Sequence, residues 1–213
     1  MPRKLKHVTT EFQLDLAELP RLDSGIVLWN EVFPFEAPMR IEVGVGNSPF
    51  LIEVAKQTPE FQYLGFEYSK RRVLKFLKRV REVGLEQIRM LNLDAMAVMG
   101  QIFASESVDH IYINHPDPWP KRRHAKKRLV RLENARIFQR LLRSGGGVSL
   151  RTDSPKYADQ MRDVMDAMDQ LENCSGTGNF AESPIEPYPT PYELRFRAEG
   201  KAIYYLEYRK PSR

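Results

Sequence analysis

A single cysteine, Cys174, stands in 213 residues, so the chain can build neither a disulfide framework nor a cysteine-based zinc site. It has no apolar run long enough to cross a bilayer. The basic opening MPRKLKH has no apolar core behind it, unlike a signal peptide. There is no internal repeat and no low-complexity tract. These absences exclude a disulfide-stapled secreted scaffold, an integral membrane helix bundle and a repeat array, and they lead us to expect a cytoplasmic protein without a metal. The hydrophobic share of 42% and charged share of 29% are those of an ordinary soluble globular chain, long enough for one well-packed domain and short for two.

The charge is unevenly placed. The formal net charge is +5, yet residues 121–131 carry seven Lys or Arg and no acid, leaving 26 basic and 28 acidic residues elsewhere. Such a local patch suits phosphates, an anionic membrane surface or an acidic partner. No amphipathic helix with an aromatic face accompanies it, which weighs against the membrane.

Residues 1–34 read as an N-terminal segment, polar and mobile at its start, that docks through Leu28, Trp29 and Phe33; 35–213 read as a single domain. Strands are expected at 39–44, 61–67, 88–92, 108–114, 148–152 and 202–210. Helices are expected at 49–57, 69–84, near 94–103, at 135–147 with its glycines as the stop, and at 154–168. Alternation of this kind predicts an α/β fold, a parallel sheet with helices on both faces, whose ligands bind beyond the carboxyl ends of the strands. The unusual residues fall there: Glu42, Glu67, Asp94, Asp117 and Asp153 each lie at or just past a strand end.

The segment EVGVGNSPF (42–50) is a strand running into a glycine turn and a helix. Gly44 and Gly46 permit close backbone approach, and Ser48-Pro49 suits a helix start. The dinucleotide fingerprint wants Gly or Ala where Pro49 stands, and Glu42 suits a cationic ligand better than a pyrophosphate. Electrostatics therefore favour S-adenosylmethionine over a nicotinamide cofactor. Glu67 is placed to accept from both ribose hydroxyls, and Asp94 reads equally as an acceptor for an adenine amino group or a helix N-cap. In NHPDPWPK (114–121), Pro116 and Pro118 stiffen the backbone around Asp117 and beside Trp119. Seven uncompensated like charges directly after it favour a polyanionic partner. Asp153 reads as a helix N-cap or as a contact to a substrate base. The run TPYELRFRAEG (190–200) reads as a polar loop entering the last strand.

Together PDPWPKRRHAKKR, EVGVG, GFE, LDA, RTD and TPYELRF resemble, in order and spacing, the bacterial tRNA (guanine-N7)-methyltransferase family over roughly residues 35–210. The resemblance implies a Rossmann-like class I methyltransferase with a mostly parallel seven-stranded sheet, S-adenosyl-L-methionine as cofactor, tRNA as partner, and methylation of N7 of a variable-loop guanosine. It implies that Glu42, Gly44, Gly46, Glu67, Asp94 and Asp117 form the cofactor site, with Asp117 also catalytic. Lys121, Asp153, Thr190, Pro191, Tyr192 and Glu193 match substrate-contacting positions. Arg123, His124, Lys126, Lys127 and Arg128 match the RNA-contacting stretch. Two departures stand out: Ser48 replaces a usual third glycine, and Asn114-His115 replaces a usually apolar pair before PDPW. Guanine N7 already holds an in-plane lone pair, so Asp117 is expected to position and to stabilise charge, with no general base needed. A class I methyltransferase acting on another RNA or a small molecule, and a non-catalytic RNA-binding protein, stay open beside this reading.

Overall fold

The computed structural model describes residues 12–212. The expected mobility of the first residues concerns a stretch outside that range. Eight strands form one sheet: Gln13–Leu14 (β1), Met39–Val43 (β2), Gln62–Phe66 (β3), Ile88–Leu91 (β4), Val108–Asn114 (β5), Leu142–Thr152 (β6), Glu172–Asn173 (β7) and Tyr204–Arg209 (β8). Their order is β1-β4-β3-β2-β5-β6-β8-β7, and among these strands β8 alone is reversed, pairing antiparallel with β6 and β7. The helices are Phe50–Gln57 (α1), Lys70–Val83 (α2), Ala95–Ile102 (α3), Leu132–Leu141 (α4), Pro155–Asp166 (α5) and Pro191–Ala198 (α6).

Both faces of the sheet are covered, which is why the central strands read as near-continuous apolar runs. Ile41, Val43, Leu64, Phe66, Ile111 and Ile113 pack on one side, against Met99, Phe138 and Tyr157 of α3, α4 and α5. Tyr63, Met90 and Tyr112 pack on the other, against Leu51 and Val54 of α1 and Val73, Phe76, Leu77 and Val80 of α2. The period-two alternation along each strand thus divides one chain between two cores. The segment from 12 onward lies along this body. Val27 and Phe33 are buried, Val27 N donates to Ile102 O, and Trp29 stacks on Phe103 with ring centroids 4.8 Å apart.

Three expectations need correction. Among the described residues the sheet has eight strands, against the seven that the resemblance implies: the six read from the sequence are joined by two-residue strands, too short for any periodicity, one at each edge. The glycines after α4 do not stop a helix at 147. The helix ends at Leu141 and β6 begins at Leu142. Gly146 and Gly147 let backbones meet, since a Cβ would stand 2.7 Å from Asp109 O and 2.9 Å from Tyr208 O respectively. Finally, 190–200 is not a loop: α6 forms there, capped by Thr190, whose hydroxyl accepts from Glu193 N at 3.1 Å. Its one buried residue is Glu193, so it shows no apolar stripe to detect.

Gly65 in β3 sits beneath the turn that follows β2, and a Cβ there would lie 2.7 Å from Val45 Cγ2. Gly65→Ala is expected to cost about 1–3 kcal/mol by overpacking, read as a lower denaturant midpoint with an unchanged slope.

Candidate active site

Parallel strands deliver their carboxyl ends to one edge of the sheet, and β2 lies between β3 and β5 there. The polypeptide leaving β2 turns at Gly44 (φ 81°) and Gly46 (φ 63°), left-handed conformations that glycine adopts without strain. Gly44 N donates to Phe66 O at 2.8 Å, and Gly46 N donates to Glu67 Oε2 at 3.0 Å. The other oxygen of Glu67 accepts from Ser69 N at 2.8 Å, just before α2. One carboxylate therefore joins the glycine turn to the exit of β3. Asp94 accepts from Met96 N and caps α3. It does so while lining the same cavity, so the two readings of this residue are compatible.

Glu42 has the most unusual surroundings. It is wholly buried at the cavity wall; its Oε1 accepts from Asn114 Nδ2 at 2.8 Å, and its Oε2 has no partner among the described residues. Burial pushes its carboxyl up to about 8, opposed by the Asn114 hydrogen bond and by Arg151, and aided by Glu67. A buried oxygen without a donor is a place for a ligand's N–H group.

The PDPW loop is held under strain. His115 (φ 48°) and Trp119 (φ 42°) are left-handed without being glycine, a departure that clusters at functional sites. Arg128 fixes the loop: its Nε donates to Pro118 O at 2.8 Å, its Nη2 to Trp119 O at 3.3 Å, and its Nη1 to Gln160. Lys127 places its ammonium 4.8 Å from the Trp119 ring, and His124 meets that ring edge-on at 5.7 Å. His115 N donates to Arg151 O. Both its ring nitrogens are buried without a hydrogen-bond partner among the described residues, and burial lowers its pKa to about 4, so the ring is neutral at pH 7.

These elements enclose a cavity of about 600 Å³, within the range of small-molecule sites. The six residues expected at the cofactor, Glu42, Gly44, Gly46, Glu67, Asp94 and Asp117, all line it, and so do Asp153, Thr190, Tyr192 and Lys127. Lys121, Pro191, Arg123, His124, Lys126 and Arg128 lie outside its wall. Glu193 also lies outside. It is 1% exposed and accepts from Arg151 Nη1 (3.2 Å), Arg197 Nη2 (2.6 Å) and the Tyr205 hydroxyl (2.6 Å), a structural anchor behind the wall. Sequence reasoning missed Tyr68, Arg72, Arg195 and Phe196 in the lining. The last two were hidden with α6. Arg72 was visible only as one of many basic residues on α2. Among the described residues no cluster of His, Cys, Asp or Glu could hold a metal ion, and no helix is long and apolar enough to cross a membrane.

Comparison with known proteins fits this geometry. Residues 36–206 match the family described as a putative methyltransferase. A tRNA (guanine-N(7)-)-methyltransferase of Pseudomonas putida strain F1 is 34% identical over 192 residues, covering 90% of this chain and 80% of that protein. One from Thermotoga maritima is 32% identical over 203 residues, covering 95% of this chain; the chain spans 63% of that longer relative. In fold, a SAM-dependent O-methyltransferase from Thermotoga maritima superposes with a TM-score of 0.54 at 14% identity, over 84% of this chain and 61% of that one. With the family match entering just before the first central strand and ending inside the last, the chain belongs to the tRNA (guanine-N7)-methyltransferase family.

Proposed function

We propose that this protein transfers a methyl group from S-adenosylmethionine to N7 of a guanosine in tRNA, within the variable loop. The observation that carries the reading is the convergence of Glu42, Glu67, Asp94, Asp117 and Asp153, from five successive strand ends, on one cavity bordered by a basic loop. S-adenosylmethionine, when bound, supplies an electrophilic methyl group on a sulfonium. The residues suit its chemistry. Glu42 offers a buried, unpartnered oxygen to an ammonium, and Gly44 has open space where a Cβ would stand. Glu67 and Asp94 retain lone pairs for a ribose and an adenine beyond those their backbone donors use.

Asp117, exposed at the cavity wall, and Asp153, half-buried there, act on the guanine. Each can accept from N1–H or the exocyclic amine and so orient N7 toward the methyl group. Each also stabilises the positive charge that the base acquires. No proton leaves N7, so neither is a general base in the transfer. Thr190 and Tyr192 shape the same wall. Lys121, Arg123, His124, Lys126 and Lys127 serve the phosphates, while Arg128 serves the loop's rigidity through its bonds to Pro118 and Trp119. Lys127 does both, reaching the cavity from over the Trp119 ring.

Incubation with labelled S-adenosylmethionine and unmodified tRNA, then cleavage at 7-methylguanosine, tests the activity; label elsewhere in the RNA would reassign the substrate atom. Asp117→Asn should slow single-turnover transfer by about 10²–10³ with both substrates still bound. A parental rate would remove Asp117 from the reaction. Arg123→Ala, Lys126→Ala and Lys127→Ala together should make the log–log salt dependence of tRNA affinity shallower by about one unit for each phosphate no longer neutralised. An unchanged salt slope would detach this loop from the phosphates.

The raised Glu42 carboxyl gives a further prediction. Its value of about 8 lies above the ordinary 4.5, so the free protein holds a proton there at pH 7. A cation against Oε2 favours the ionised form. Cofactor binding should therefore release close to one proton at pH 7, and affinity should rise with pH until it levels off above about 8. Calorimetry in two buffers of different ionisation enthalpy reads the proton directly, and Glu42→Gln should abolish its release. The same linkage sets the sign for stability: the Glu42 contribution is full below 4.5 and is lost as pH rises through 8.

A further inference from the structure

The excess positive charge of this chain resides in two stretches, and the function proposed above assigns phosphates to only one of them. The chain holds 33 basic and 28 acidic residues; 121–131 carries seven of the basic ones, and α2 carries another seven with the single acid Glu82. What remains is 19 basic against 27 acidic residues, a net negative body with two positive stretches. On α2 the apolar residues Val73, Phe76, Leu77 and Val80 are buried, while Lys70, Arg71, Lys75, Lys78, Arg79 and Arg81 are exposed. An exposed row of like charges on one helix repels itself and destabilises the helix unless it meets a counter-charge. The acid on that face is paired already, Glu82 with Lys78 at 3.5 Å.

The position of α2 gives the row a direction. The helix follows β3 and the 121–131 loop follows β5, so the two basic stretches leave the sheet on either side of β2, whose end forms the cavity. Each contributes one cation to the cavity lining, Arg72 and Lys127. From Arg72 the helix continues for about three turns, a path of roughly 16 Å at 1.5 Å per residue. The row carries no exposed aromatic group to insert among acyl chains, which disfavours an anionic lipid surface.

We infer that the outward face of α2, centred on Arg71, Lys75 and Lys78, is a second phosphate-binding surface that holds the RNA backbone on the side of the cavity away from the 121–131 loop. The inference rests on RNA being the substrate, as proposed above. It adds that the enzyme grips its substrate from both flanks of the reacting nucleotide.

The test is the triple variant Arg71→Gln, Lys75→Gln, Lys78→Gln, in which none of the three residues lines the cavity. Binding to an unmodified tRNA transcript should weaken, and the log–log salt dependence should become shallower by about 2–3 units, at 0.7–0.9 per phosphate neutralised. Between roughly 50 and 200 mM salt the gap between parent and variant should then narrow by about twenty- to fortyfold. Cofactor affinity should be unchanged, which verifies the fold. The charge-keeping set Arg71→Lys, Lys75→Arg, Lys78→Arg should bind as the parent does. Parental affinity and slope in the glutamine variant would overturn the inference, as would loss of binding to anionic phosphatidylserine vesicles while tRNA binding stayed intact. These readouts do not require methyl transfer. A parent that binds tRNA without methylating it would fail the functional reading alone.

Discussion

Arg151 is a charge 1% exposed to water at the end of β6, and much of the cavity hangs from it. A buried guanidinium is tolerable only when its N–H groups are paired. Here Nη1 donates to Tyr188 O at 2.8 Å and to Glu193 at 3.2 Å, and Nη2 donates to Glu186 O at 2.5 Å, while Nε has no partner among the described residues and the Phe50 ring centroid lies 4.9 Å away. Its own carbonyl accepts from His115 N. Through one residue the PDPW turn, the segment before α6 and α6 itself are set against the same strand. The PDPW turn and the segment before α6 are irregular backbone, which has no ladder of its own to hold it. Replacing Arg151 would leave the carbonyls of Tyr188 and Glu186 without this donor and would take one of two cations from Glu193.

The same edge of the sheet tolerates several acids out of water. Glu42, Glu193 and Glu207 are all at most 2% exposed. Glu193 is answered by Arg151, Arg197 and Tyr205, whereas Glu207 accepts from Ser149 at 2.5 Å and from Ile185 N at 3.2 Å. Burial raises Glu207 to about 7, as it raises Glu42, because a neutral donor compensates less than a cation does. Glu42 differs from both in keeping one oxygen without a partner among the described residues. The contrast separates acids whose oxygens are all answered within the fold from one that keeps an oxygen open to the cavity.

The central part of this fold was legible because strands covered on both faces appear as apolar runs, each closed by a polar residue that cannot follow them into the core. Glu42, Glu67 and Asp94 were found by that rule. Residues 145–147 were misread because glycine serves both a helix stop and a close backbone approach, and only the neighbours Asp109 and Tyr208 decide between them. In α6 the buried position is Glu193, so a search for apolar periodicity passes over it and over Arg195 and Phe196. A run of cations likewise does not say which of its members are already engaged. Arg128 reads like Lys126, yet its guanidinium is spent on Pro118, Trp119 and Gln160.

β8 lies between β6 and β7 although it follows both in the chain. As the polypeptide emerges from the ribosome, β6 therefore presents an open hydrogen-bonding edge until residues 204–209 arrive, the kind of edge that invites pairing with foreign strands. Tyr205, on that late strand, is also one of the groups that hold Glu193. The nascent protein thus shows its central strands and the acids at their ends well before it can close the wall behind them. Of the described elements, α6 and β8, which close this wall, are the last to emerge.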